Sequence, residues 1–193
     1  HEATPEAHTW PLVSVIVPVL NEERHLADAV AMIAGQDYPG ELEIVLALGP
    51  SSDGTDAVAA ALAQADSRIR LVANPSGKTP AGLNAAIGAS RGSIIARVDG
   101  HAEIPVDYVR VAVTALREHN AANVGGVMSA QGRTPFERAV ATAMRSTIGV
   151  GNAAFHVGGQ AAEAETVYLG VFRRDVLLDV GGFDEHYERA QDW

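Results

Sequence analysis

Apolar and polar positions fall along this chain in two kinds of block. One kind is short, continuous and rich in β-branched residues: "PLVSVIVPVL" (11–20), "ELEIVLALG" (41–49), "RIRLVAN" (68–74) and "GSIIARVD" (92–99). Such runs predict buried strands. The other kind spaces its apolar residues three or four apart. In "NEERHLADAVAMIAGQ" (21–36) Leu26, Val30 and Ile33 share a face, and in "VDYVRVAVTALREHN" (106–120) Val109, Val113 and Leu116 do the same. Both predict amphipathic helices. "SSDGTDAVAAALAQA" (51–65) opens on capping residues and predicts a third helix, and "PSGKTPAGLNAAIGAS" (75–90) a loop leading into a fourth near Pro80. "NVGGVMS" (123–129) predicts another strand.

Strand–helix alternation repeated this often predicts an α/β fold with a mainly parallel sheet and right-handed crossovers. Ligands of such sheets bind at the carboxyl ends of the strands. Four loops therefore share one expected rim: "VLNE", "GPSSDGT", "NPSGKTPAG" and "DGHAEIP". Beyond Thr134 the regularity fades. "PFERAVATAMRS" (135–146) predicts an amphipathic helix, and "IGVGNAAFHVGGQAAEAE" (148–165) a mobile loop. "TVYLGVF" (166–172) predicts a strand, followed by a short helix, a Gly turn and a new helix start that the chain end at Trp193 interrupts. That ending predicts a domain truncated at its C-terminal side.

Composition narrows the function. The 193 residues suit one domain. A net charge of −10, with no basic stripe, argues against a nucleic-acid binder. With no cysteine there is neither a disulfide framework nor a thiolate metal site. No apolar run reaches the roughly 18 residues of a membrane span. "HEATPEAHTW" lacks the apolar core of a signal peptide and starts with His, which predicts a processed N-terminus or a remnant of cloning. The expected compartment is the cytoplasm.

The chemistry concentrates in "RVDGHAEIP" (97–105), where a buried strand ends in Asp99, Gly100 and His101. A carboxylate and an imidazole two residues apart suit a divalent cation, and equally a solvated turn. The wider order of motifs bears on that choice. "VIVPVLNE", "SSDGT", "GKTPAGLN", "ARVDGH", "GGFDE" and "QDW" follow one another over Val13 to Trp193. This order resembles the family 2 glycosyltransferases of GT-A fold, in particular the bacterial exopolysaccharide branch of succinoglycan type.

The resemblance implies a GT-A domain over 11–193 behind a tail at 1–10, and inverting transfer of a sugar from a nucleotide diphosphate donor. In it "VDGH" takes the place of the DxD metal motif. Asp99 would hold the metal or the ribose, and His101 would replace the last Asp. The cofactor is Mn²⁺ or Mg²⁺, the imidazole favouring Mn²⁺. Glu103 would stand behind that pair or be exposed. Pro18, Val19, Asn21 and Glu22 match the first-strand motif along the nucleoside, with Glu22 also placed to cap the following helix. Lys78 would add positive charge near the diphosphate, where a helix N-terminus offers free N–H groups, and Asn84 would anchor that loop. Leu48 stands where many members carry an Asp that contacts the base, and Asp53 reads as a helix cap.

An inverting transfer needs a base, and Asp192 occupies its place, with Asp184 and Glu185 shaping the acceptor pocket. The acceptor would be a saccharide or a lipid-linked one, met at the inner face of the cytoplasmic membrane, with any membrane anchor lying beyond Trp193. Two other readings stay open. A sugar-phosphate nucleotidyltransferase would want a Gly-rich basic loop after the first strand, where this chain has "PVLNEERH". A non-catalytic nucleotide-sugar-binding fragment would need only the donor loops.

Overall fold

A computed structural model of the chain describes residues 9–126 and 168–186. The expected helix at 135–146, the expected loop at 148–165 and Asp192 lie outside the described residues.

The four β-branched runs form β1 (Val13–Val19), β2 (Leu42–Leu48), β3 (Ile69–Ala73) and β4 (Ile94–Arg97). With β5 (Asn123–Gly126) and β6 (Tyr168–Arg173) they make a six-stranded sheet of order β3-β2-β1-β4-β6-β5. The first four are parallel: Ile16 of β1 lies opposite Val45 of β2 on one side and Arg97 of β4 on the other. β6 is reversed. It runs antiparallel to β4, with Ile95 opposite Phe172, and antiparallel to β5. The sheet is thus mainly parallel, as expected, with one reversed strand between two others.

Both faces are covered, which is why the strands are apolar at successive positions. Val13, Val15, Val17 and Val19 of β1 pack on one face, and Ile16 points to the other, beside Val45, Ile95 and Leu83. Each such fully buried branched side chain contributes about 1.5–3 kcal/mol. α1 (Leu26–Ala34), α2 (Thr55–Ala65) and α4 (Tyr108–Glu118) cover the first face. They bury the expected Leu26, Val30 and Ile33 of α1 and Val109, Val113 and Leu116 of α4. α3 (Thr79–Ala89) and the short α5 (Arg174–Asp179) cover the second face through Leu83, Ile87 and Leu177.

Two boundaries near the site differ from the sequence reading in ways that bear on it. α1 begins at Leu26, not at Asn21, because Asn21 sits at φ +55 and turns the chain. Its side-chain Oδ1 accepts from the Ser52 N–H (2.8 Å), and its own N–H donates to Ser51 Oγ (3.0 Å). Asn tolerates this left-handed backbone better than other non-Gly residues. β4 ends at Arg97 rather than Asp99, after which the Val98 N–H still donates to the Ile16 carbonyl (3.0 Å).

Two polar brackets tie the layers. Gln36, just past α1, donates from Nε2 to the Pro105 carbonyl (2.7 Å) and accepts at Oε1 from the Val109 N–H (3.0 Å). It thereby caps α4 from a distance. At the amino ends of the parallel strands, buried Glu43 accepts from Ser14 Oγ (2.6 Å), the Arg91 N–H (2.5 Å) and Arg91 Nε (2.8 Å).

Candidate active site

The loops leaving β1, β3 and β4 meet in one cavity of about 250 Å³ at the carboxyl edge of the sheet. Pro18 and Val19 end β1 and Glu22 follows in its loop, Asn74 and Gly77 lie in the loop after β3 that leads to Thr79 at the start of α3, and Arg97 ends β4 ahead of Asp99 and His101 in its loop. An adjoining pocket continues over Asn21, Pro50, Ser76 and Lys78, so the loop after β2 joins the same rim through Pro50. The rim expected from the topology is therefore built by all four loops.

The loop after β3 is shaped by Asn74, which is buried. Its Nδ2 donates to the Lys78 carbonyl (3.0 Å), its Oδ1 accepts from Ser76 Oγ (2.9 Å), and its carbonyl accepts from the Gly77 N–H (3.0 Å). Gly77 holds φ +68 at the fold of that loop. The loop delivers the chain into α3 with Lys78 at the N-cap, Thr79 facing the cavity and Pro80 in the first turn, and no side chain caps this end. An α-helix start of this kind presents N–H groups and the positive end of its dipole, which suits phosphate oxygens.

Across the cavity, Asp99 and His101 are each held by a neighbour. Arg97 Nε donates to Asp99 Oδ1 (3.2 Å), and the Arg97 side chain is only 9% exposed. His101 Nδ1 stands 2.9 Å from Glu22 Oε1. Gly100 lies between, and a Cβ there would come within 3.1 Å of Glu22 Cγ, so the turn is packed against the Glu22 stem. Glu103 is exposed.

Three side chains serve differently from the sequence reading. The Glu22 side chain does not cap α1: no side chain does, and the Glu22 carbonyl instead accepts from the His25 (3.0 Å) and Leu26 (2.9 Å) N–H groups. Asn84 anchors the Gly turn after α5 and not the loop before α3. Its Nδ2 donates to the Phe183 carbonyl (2.8 Å) and to Glu185 Oε1 (3.0 Å), and its Oδ1 accepts from the Phe183 N–H (2.9 Å). Asn21 fixes its loop through its Oδ1, which accepts from Ser52, and its main-chain N–H, which donates to Ser51 Oγ. Asp53 lies one residue before the N-cap Gly54 and serves the start of α2 from there. It accepts from Thr55 Oγ1 (2.5 Å), the Thr55 N–H (3.1 Å) and the Glu23 N–H (3.3 Å), and the Thr55 hydroxyl, foremost, holds its carboxyl below the usual range.

Asp184 and Glu185 lie exposed at the end of that Gly turn, away from the residues lining the cavity. Arg97 and Asn74 were missed in the sequence. The signal for Arg97 is a charged residue inside an apolar strand run, and for Asn74 an Asn opening a Pro-Ser-Gly turn.

Among the described residues no three His, Cys, Asp or Glu side chains converge into a metal cage. A metal carried by a diphosphate asks less of the protein, one or two ligands beside phosphate oxygens. Asp99 and His101 on one turn fit that demand. An imidazole steadied by a carboxylate at its other nitrogen is also a common metal-ligand arrangement.

The chain is similar to known proteins over most of its length. The sequence profile described as "Glycosyl transferase family 2" matches residues 14–181. The succinoglycan biosynthesis protein ExoA of Rhizobium meliloti (strain 1021) is 30% identical over 181 residues, covering 92% of this chain and 54% of that protein. An N-acetylglucosaminyltransferase of the same organism is 34% identical over 130 residues, 65% of this chain and 30% of that one. Among solved structures, a mannosyltransferase from Pyrobaculum calidifontis in complex with GDP-Man and Mn²⁺ superposes with a TM-score of 0.68 at 25% identity, over 95% of this chain and 50% of that one. S. aureus TarS 1–349 in complex with UDP gives 0.65 at 20% identity, over 93% and 52%, a likeness of fold alone. The fold is thus GT-A, and this chain spans about half the length of ExoA and of these two structures.

Proposed function

The chain belongs to glycosyl transferase family 2, and from that premise we propose that it transfers a sugar from a nucleoside diphosphate donor to an acceptor hydroxyl, with inversion and with the help of a divalent cation. The observation that carries this reading is the meeting of Asp99 and His101 with the uncapped start of α3 across one cavity. A carboxylate–imidazole pair on one wall and N–H donors on the other match a metal-bound diphosphate.

In this reading Pro18 and Val19 form the wall along the nucleoside, and Asp99 and His101 hold Mn²⁺ or Mg²⁺. When bound, the cation neutralises negative charge that develops on the leaving diphosphate. Lys78 and the N–H groups at the start of α3 receive phosphate oxygens, and Arg97 keeps the Asp99 carboxylate turned into the cavity. Asp184 and Glu185, on the turn that Asn84 holds and outside the residues that line the cavity, would contact the acceptor.

Asp192 removes the acceptor proton. As it does so the acceptor oxygen bonds to the anomeric carbon from the face opposite the diphosphate. The bond from that carbon to the diphosphate oxygen breaks, and the nucleoside diphosphate leaves with the electron pair. Inversion follows from that single displacement. The reading includes a saccharide or lipid-linked acceptor met at the cytoplasmic face of the membrane. No helix among the described residues is long and apolar enough to cross a membrane.

The test is a thermal-shift screen of UDP, GDP and their sugars with and without Mn²⁺. A ligand bound only by the folded state raises stability by RT ln(1 + [L]/Kd). A nucleoside diphosphate that stabilises the protein only with the cation supports the reading. No response to any of them would remove it.

A further inference from the structure

We propose that Glu22 is a positioning residue for His101. Its carboxylate holds the imidazole as the Nδ1–H tautomer and so keeps Nε2 as the electron-pair donor to the cation. The inference rests on the metal reading of His101 above and goes beyond it, because it moves Glu22 from the nucleoside to the metal side of the site.

The chemistry is forced by the contact. A carboxylate accepts and does not donate, so a 2.9 Å approach between Glu22 Oε1 and His101 Nδ1 needs the proton on Nδ1. In the neutral ring the other nitrogen then carries the lone pair. Which partner imposes its position is decided by exposure: the Glu22 side chain is 17% exposed, the His101 side chain 66%. Glu22 is also fixed by its main chain. Its N–H donates to Thr55 Oγ1 (2.8 Å), and its carbonyl takes the two N–H groups at the start of α1.

The approach of the loop is built for this contact. Gly100 packs on Glu22 Cγ where a side chain would crowd it, and Val98 is pinned to Ile16 on the neighbouring strand. The carboxylate therefore reaches His101 from a rigid base 79 positions upstream.

The experiment compares the full chain with Glu22→Ala and Glu22→Gln by two measurements. Nitrogen NMR of the metal-free protein reads the His101 tautomer. Mn²⁺ titration followed by loss of its free paramagnetic-resonance signal, with saturating UDP or GDP, reads the cation. The expected result is an Nδ1–H ring in the wild type and the Gln variant, whose amide oxygen still accepts, and loss of that preference in the Ala variant. Mn²⁺ affinity should fall roughly 10–100-fold in the Ala variant and return largely in the Gln variant. UDP or GDP affinity in EDTA should stay level across all three.

An unchanged tautomer in Glu22→Ala overturns the inference. So does unchanged Mn²⁺ affinity, and so does an equal loss of nucleotide affinity in EDTA, which would put Glu22 on the nucleotide. If the wild type itself binds nucleotide without regard to Mn²⁺, the metal reading fails, while the tautomer result still decides whether Glu22 sets the ring.

Discussion

Asn84 pairs with Phe183 as one strand residue pairs with another: its amide N–H donates to the Phe183 carbonyl and its amide oxygen accepts from the Phe183 N–H, at 2.8 and 2.9 Å. A side chain on α3 thus supplies a missing backbone partner to the Gly turn after α5. Gly182, at φ +79, allows the approach, since a Cβ there would meet Asn84 Oδ1 at 2.6 Å. Asn84→Ala leaves both groups of Phe183 without that partner and should cost about 1–3 kcal/mol. Amide exchange at Phe183 should accelerate. Nucleotide affinity should hold, because Asn84 does not line the cavity. Denaturant melts with site-resolved exchange are the measurement, and an unaltered Phe183 amide would refute the pairing.

The metal pair makes a separate prediction. UDP or GDP titrated with Mn²⁺ should bind Asp99→Asn at least roughly tenfold more weakly than the wild type, since disturbing even an outer partner of a metal costs that much. In EDTA the two proteins should be alike. Calorimetry with and without the cation reads this directly.

Gly77 should tolerate no side chain. At φ +68 an L-residue costs about 1–2 kcal/mol, and a Cβ would stand 3.0 Å from Pro50 Cδ. Gly77→Ala should lower the melting temperature and weaken nucleotide binding together, since the same turn lines the cavity. Retained affinity in a destabilised variant would show that the loop's shape matters to the fold and not to the ligand.

Glu43 should govern the acid limb of stability. Burial works to raise its pKa, but hydrogen bonds from Ser14 and from the Arg91 main chain and side chain outweigh it, and the carboxyl lies below its usual value. A folded pKa below the unfolded one of about 4.3 gives stabilisation that is full above that value. It is lost as pH falls through the lower folded pKa. Glu43→Gln should therefore flatten the decline of stability below about pH 4.3. It should also lower stability at neutral pH, by about 1.5–3 kcal/mol for a charge-assisted bond lost. Urea melts across pH 3–7 check both.

For the transfer step, measured on a longer chain, Asp192→Asn should reduce turnover by roughly 10²–10⁴-fold with nucleotide affinity nearly unchanged. Steady-state kinetics beside nucleotide titration separate the two. Near-normal turnover would move the search for the base to Asp184 and Glu185.

Much of the fold was legible because it rests on local pattern. The β-branched runs and the faces of α1 and α4 are periodic, and burial on both sides of the sheet rewards that periodicity. The reversal of β6 was not legible, since it rests on Ile95 meeting Phe172, a pairing no local spacing encodes. The site divides the same way. Asp99 and His101 stand at the end of a readable strand, whereas the work of Glu22 and Asn84 rests on partners 79 and 99 residues distant. Asn21 was read as part of a helix because polar periodicity carries no sign of a positive φ.

The Gln36 bracket has a bearing on how tightly the cavity can hold a ligand. The turn that carries Asp99 and His101 leaves β4 at one end and is moored at Pro105 and Val109 by Gln36 at the other. It is suspended between two fixed supports, so its freedom is already removed when the chain folds. A small ligand arriving there orders little more than itself, and more of its contact energy appears as affinity. Gln36 stands outside the residues that line the cavity, yet Gln36→Ala should loosen this turn and weaken a ligand bound there.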